Sequence, residues 1–274
     1  LRIIFARRLL IGGIMRRVLV LAAALAALAA CASPTPPVVA VPKASNTIAI
    51  ISAVPPVVRL AATGLLVFDN SLDITDVPDW HLETVALDAA TRALSPRYHV
   101  AYTATDTQFG EAESRGSGDW AAGADLDADG LVQKYSRAET PVDFLVVLCP
   151  SAQSFPYDSY PYVFQYIGVS KLRDPILTFA PVAHTYLLVT IYDGKTLKKV
   201  AQTPNLLPSG PSLPMPMNAD QRNYPWELLR GFEWKDSWAK LTADQQALIR
   251  DRIIHLLAAS LTYTLQTTLT AGGS

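Results

Sequence analysis

The sequence is poor in cysteine, histidine and charge. Only Cys31 and Cys149 occur in 274 residues, and charged residues make up 17% of the chain. With Cys31 modified, as argued below, no intramolecular disulfide is possible, so stability has to come from a packed core. The four histidines (His81, His99, His184 and His255) are scattered, and no His or Cys pair has zinc-ligand spacing. A G-x-S-x-G nucleophile elbow, a phosphate loop and a dinucleotide fingerprint are all absent. A triad assembled from Ser52, Asp79 and His81 has no support in spacing, and His81 reads as a surface or packing residue. Cys149 closes an apolar run, where its surroundings predict an inert thiol.

Acidic residues are missing altogether from positions 1 to 30, which hold five arginines: Arg2, Arg7, Arg8, Arg16 and Arg17. Thirteen apolar residues follow, from Val18 to Ala30. At 1.5 Å rise they cover about 20 Å, short of the roughly 30 Å hydrocarbon core of a bilayer. A basic lead and a short apolar stretch ending in small residues read as a secretory signal, with Met15 as the expected start. Leu28-Ala29-Ala30-Cys31 resembles the lipobox of bacterial lipoproteins. That resemblance implies cleavage before Cys31, a diacylglyceryl thioether on its sulfur and a third acyl chain on its new amine. Two chains already anchor stably, so three are expected to hold permanently. By the same resemblance, Ala32 in place of an aspartate points to the periplasmic face of the outer membrane, the inner membrane being the alternative.

Loss of residues 1 to 30 leaves 18 Lys plus Arg against 24 Asp plus Glu, a formal charge of −6. No basic stripe remains, and no nucleic-acid partner is expected. Residues 31–45 form a tether: Ala32 to Lys43 carries Pro34, Pro36, Pro37 and Pro42. At about 3.1 Å per residue in an extended proline-rich conformation, it keeps residues 46–274, read as one domain, within roughly 37 Å of the bilayer.

Within that domain, Thr47 to Val54 and Val57 to Phe68 read as strands separated by Pro55-Pro56. A helix is predicted to open near Asp76 and Asp79, burying Leu82, Val85, Ala86, Ala89 and Ala93, and to end at Leu94 before Pro96. Tyr98 to Thr105 reads as a strand, Gln108 to Asp125 as a polar, glycine-rich loop, and Asp127 to Tyr135 as a short helix. Val142 to Cys149 is predicted to be a strand buried on both faces. Val163 to Leu172 and His184 to Tyr192 follow as strands, and Asp193-Gly194 turns the chain into Leu197 to Gln202. Pro204 to Pro225 reads as a loop. Thr242 and Gln245 form a capping box ahead of a long helix with a stripe of Leu248, Ile249, Ile253, Leu256, Leu257, Leu261 and Leu265.

This order predicts an α/β (α+β) domain: a single mixed β-sheet with flanking helices and a long C-terminal helix. The TIAIIS strand, Leu94-Ser95-Pro96-Arg97, the TYLLVTIYDGKTLKKVA hairpin and the closing LTADQQALIRDRIIHLLAASLTYTL helix give the domain a further likeness. With the lipobox, they resemble proteobacterial envelope lipoproteins whose sheet-and-helix domain is similar to the curli-secretion and TolB amino-terminal families. The resemblance implies a fold and brings no catalytic signature.

Two features carry chemical possibilities. Asp125, Asp127, Asp129 and Gly130 match the opening of an EF-hand calcium loop, but position twelve is Ser136 in place of the bidentate glutamate. The other reading of these acids is a cap on the short helix. Aromatic residues cluster at Tyr157, Tyr160, Tyr162 and Tyr166, and at Trp226, Phe232, Trp234 and Trp238. They read either as an interaction surface, with Tyr160, Tyr162, Trp226, Trp234 and Trp238 as its contacts, or as staples that hold loops onto the core. The expected function is a non-catalytic binding or assembly module at the membrane surface with an envelope protein partner and no cofactor. A hydrolase with an unrecognised site and a calcium-dependent binder using Asp125 to Gly130 are the alternatives.

Overall fold

The structure, a computed structural model, describes residues 46–64, 70–116, 129–136, 140–150, 152–157, 160–173, 180–208 and 225–268. The chain divides into two units, Leu1–Val38 and Val39–Ser274, and all the described residues belong to the second. Cys31, the signal and the tether lie outside the described residues.

The strands sort into two five-stranded mixed sheets and a separate hairpin. The first sheet runs β11(Lys199–Pro204), β10(Leu187–Asp193), β5(Phe144–Pro150), β1(Thr47–Ser52), β4(His99–Thr105). The second runs β12(Trp226–Leu228), β9(Val182–Thr185), β8(Ile167–Arg173), β2(Val57–Gly64), β3(Ser71–Asp76). The hairpin is β6(Ala152–Tyr157) with β7(Tyr160–Gln165). Among the described residues four α-helices accompany them: α1(Leu82–Leu94), α2(Thr107–Gly116), α3(Asp129–Tyr135) and α4(Ala243–Thr268). The α+β class and the long C-terminal helix are as the sequence predicts. The one mixed sheet expected is realised as two.

The split has a local cause. The apolar run from His184 to Tyr192 reads as one strand, yet it serves both sheets. β9 pairs with β8, and after Tyr186 β10 pairs with β5. Asn205 holds the crossing: its side chain accepts from Leu187 N at 2.9 Å and donates to Thr185 O at 2.7 Å and Ser260 Oγ at 2.8 Å. The buried backbone groups released at the switch are thereby satisfied by one amide.

β5 is buried on both sides, as its composition predicts. Val146 and Leu148 face a large cluster with Ile48, Ile50, α1 and α4, while Leu145, Val147 and Cys149 face a smaller one with Ala49, Ile51, Leu131 and Val132 of α3. Residues one apart thus serve opposite cores, as the two-residue repeat of a strand requires. Val58, Leu60, Ile167, Val169 and Ala183 of the second sheet join the large cluster. On α1, Ala86, Ala89, Ala90 and Ala93 make a narrow face that packs with Ile249, Ile253, Leu256 and Leu257 of α4. The capping box forms, with Thr242 N donating to Gln245 Oε1 at 3.0 Å and Gln245 N to Thr242 Oγ1 at 3.2 Å. Leu248, assigned to the buried stripe, is exposed.

Three further predictions are corrected. Ser71–Asp76 is a strand paired with β2, so α1 opens later, behind a turn at Pro78–Trp80 and a left-handed His81 (φ 49°). Thr107–Gly116 is a helix and not a loop: Asp106 Oδ1 accepts from Phe109 N at 3.3 Å as its cap. Gly110, read as a loop glycine, sits where a Cβ would fall 1.8 Å from Ala53 O, so it is there for close packing. Tyr166 breaks the predicted Val163 to Leu172 strand into β7 and β8, at φ 62°. No helix among the described residues is long and apolar enough to cross a membrane.

Candidate functional site

A cleft of about 310 Å³ opens where the last turns of α1 and α4 meet the start of β4. Ala93, Leu94, Pro96 and Leu265 line it with apolar surface, and Arg97, Tyr98 and Gln266 supply its polar groups. The local sequence builds it directly. Pro96 stops α1, and Arg97 N and Tyr98 N both turn back to Leu94 O, at 2.9 and 3.0 Å, satisfying the helix end. Arg97 is exposed, and its charge sits beside the C-terminal ends of two helices, whose carbonyl dipoles favour a cation there. Tyr98 is buried, and burial raises its phenol pKa against the opposing pull of the Arg97 charge, so it stays neutral. The volume is at the lower end of the roughly 300–1,000 Å³ of small-molecule sites, and the lining has the mainly apolar character of such sites. This cleft can hold an apolar group under a positive rim, and among the described residues no serine, cysteine or histidine lines it.

A second polar arrangement, invisible in the sequence, lies on the far face of the second sheet. Val58, Leu60, Ile167, Val169 and Ala183 point into the core, so Arg59, Ser170 and His184 alternate onto the opposite face. His184 Nε2 lies 2.8 Å from Ser170 Oγ, and its Nδ1 lies 3.3 Å from Tyr166 O. A carbonyl only accepts, so in the neutral ring Nδ1 carries the proton and Ser170 donates to Nε2. Arg59 stacks over the Tyr166 ring, 4.7 Å from its centroid, and burial lowers its pKa.

A Ser–His pair of this length is the starting geometry of a nucleophile and its base. Two observations withhold that chemistry. His184 is 1% exposed and Ser170 9%, so solvent has little access to either. Burial, assisted by the Arg59 charge and opposed by the Tyr166 carbonyl bond, lowers the His184 pKa to about 3. A base that weak does not take a serine proton near neutral pH.

Cys31, Asp125 and Asp127 lie outside the described residues. Asp129 is the first residue of α3, and its side chain is outside them too. Among the described residues no group of His, Cys, Asp or Glu could hold a metal ion. Tyr160 and Tyr162 belong to β7, opposite Tyr157 and Phe155, with their side chains outside the described residues.

Trp226 overturns its assignment as a surface contact. It is 2% exposed, lies opposite His184 in the sheet register, and its Nε1 has no hydrogen-bond partner. Trp234 and Trp238 are half-buried against the large core. Trp234 Nε1 donates to Asp236 Oδ1 at 3.0 Å, Trp238 N donates to Asp73 Oδ2 at 2.6 Å, and the Trp238 ring meets that of Trp80 at 5.5 Å. For these two the loop-stapling reading has the direct contacts. Ser52 is fully buried, its hydroxyl 3.4 Å from Val54 N, whereas His81 is exposed beside Glu83. Cys149 is buried and forms no disulfide.

No family model matches the chain. No curated protein matches it either. Among solved structures, the crystal structure of protein XCC0632 from Xanthomonas campestris, of the family DUF330, aligns over 88% of this chain and 94% of its own. The two are 12% identical with a TM-score of 0.34, a likeness too faint to transfer any property.

Proposed function

We propose that this chain is an envelope lipoprotein, held through Cys31 on the periplasmic face of the outer membrane, whose α+β domain is a non-catalytic binding module. The observation that carries the binding role is the apolar cleft between the ends of α1 and α4, with Arg97 at its mouth. The anchor rests on the Leu28-Ala29-Ala30-Cys31 motif, and the short proline-rich tether supports action close to the bilayer. The partner is an envelope protein that inserts an apolar side chain into the cleft.

The test has two arms. Metabolic labelling with an acyl precursor is expected to mark the chain and to fail with Cys31→Ser. A photo-crosslinking residue at Gln266, in the cleft, is expected to capture a discrete envelope protein, while one at exposed Lys240 does not. An unlabelled chain removes the anchor. Identical capture from both positions, or turnover of ester or glycan substrates by the purified chain, removes the binding role.

A further inference from the structure

The end of the first sheet at which β1 begins carries several exposed basic residues. β1, β4 and β5 run parallel, and Thr47, His99 and Phe144 begin them side by side. The β10–β11 turn closes on the same end: Gly194 N donates to Asp143 O at 2.7 Å, while Thr47 N donates to Asp143 Oδ2 at 2.9 Å. A Cβ on Gly194 would fall 2.0 Å from Val142 O, so the turn is held tight against the start of β5. Lys195 and Lys198 lie in that turn, Lys199 opens β11 with its Nζ donating to Gln202 Oε1 at 2.7 Å, and Arg97 precedes β4, all four exposed. In the sheet order β10 stands three strand spacings, about 14 Å, from β4, and β11 one spacing further, with the starts of β5 and β1 between.

Among the described residues the acids at this end are Asp143 and Asp193, whose carboxyls are held below the usual range first by backbone donors and further by the Lys195 charge. Asp143 accepts from Thr47 N, and Asp193 Oδ1 accepts from Lys195 N at 3.0 Å and Thr196 N at 2.7 Å. Among the described residues, four exposed cations stand against these two acids at this end, in a domain whose formal charge beyond residue 30 is −6.

We infer that this end, bearing Arg97, Lys195, Lys198 and Lys199, is a bilayer-facing surface that docks on anionic lipid headgroups. The inference rests on the anchored reading for its orientation. An acidic domain on a short tether is repelled from an anionic surface on most faces, and this end presents exposed cations where β1 begins. Basic clusters beside an anchor are drawn to anionic leaflets, and the attraction fades within a Debye length of about 8 Å.

Hydrogen exchange on the full chain tests this, with vesicles of phosphatidylcholine alone or with phosphatidylglycerol added. The Asp193–Lys199 turn is expected to slow in exchange with phosphatidylglycerol vesicles only, with β3 unchanged, and to recover in high salt. In the non-acylated chain, Lys195→Glu with Lys198→Glu, both exposed side chains, is expected to lower the affinity for these vesicles by on the order of tenfold or more. Equal protection by both vesicle types, protection of β3 instead of the turn, or undiminished binding by the double variant overturns the inference. An acylated chain without protection of the turn keeps the anchor and removes this surface. A non-acylated chain that still shows salt-sensitive protection does the reverse.

Discussion

Ser170 Oγ lies 2.8 Å from His184 Nε2, and the pair is sealed inside the second sheet's far face. The distance is that of a catalytic dyad, while the burial and the imidazole pKa of about 3 are those of a structural hydrogen bond. Chemistry therefore follows from the environment of the pair, and its spacing alone does not confer it.

A serine-directed fluorophosphonate is accordingly expected to leave Ser170 unlabelled in the folded chain. Ser170→Ala is expected to cost about 1–2 kcal/mol of stability by stranding the imidazole nitrogen. Labelling that vanishes with Ser170→Ala, followed by mass spectrometry, is the contrary result.

His184 also sets a pH dependence. Its folded pKa of about 3 is below the ordinary 6.5, so between these values the unfolded chain binds a proton that the folded chain refuses. Stability from this group is complete above about pH 6.5 and declines as pH falls towards 3, by about 1.4 kcal/mol per unit at most. Urea midpoints measured from pH 7 to pH 4 are expected to fall, and to fall less steeply in His184→Gln.

Asn205 joins both sheets to α4 through Leu187 N, Thr185 O and Ser260 Oγ. Asn205→Ala strands buried partners on three elements and is expected to destabilise by about 3 kcal/mol. Denaturant unfolding checks this, and Asn205→Asp, which keeps the acceptor but loses the donors and buries a charge, is expected to rescue little.

Gly110 tests the helix that the sequence hid. Gly110→Ala raises helix propensity by about 1 kcal/mol, yet its Cβ would press into the Ala53 carbonyl at 1.8 Å. Net destabilisation is expected, of roughly 1–3 kcal/mol, with faster hydrogen exchange across Thr107–Gly116. A stabilised variant would place α2 away from Ala53.

Much of the fold was legible because it depends on local pattern. Continuous apolar character marked β5, proline marked the end of α1, and Thr242 with Gln245 marked the start of α4. α2 was misread because Gly110 and its polar neighbours are typical of loops, while the Asp106 cap that starts it is one residue among many acids. β3 was missed because Asp73 and Asp76 disfavour a strand in isolation, and its pairing with β2 outweighs them. The cleft depends on two helix ends about 170 residues apart, and no window of sequence places Leu94 beside Leu265.

By itself the sequence determined the lipobox resemblance at Cys31, the α+β class, the acidic balance and the long closing helix, since periodicity, caps and charge are local or additive. Only the tertiary structure decided that one apolar run from His184 to Tyr192 divides between two sheets at Tyr186. It also put Trp226 inside, set Ser170 against His184, and gathered Arg97 with the lysine turn at the end where β1 begins. Those relationships come from which strands pair and in what register, and pairing is a long-range choice that burial and hydrogen-bond satisfaction settle together.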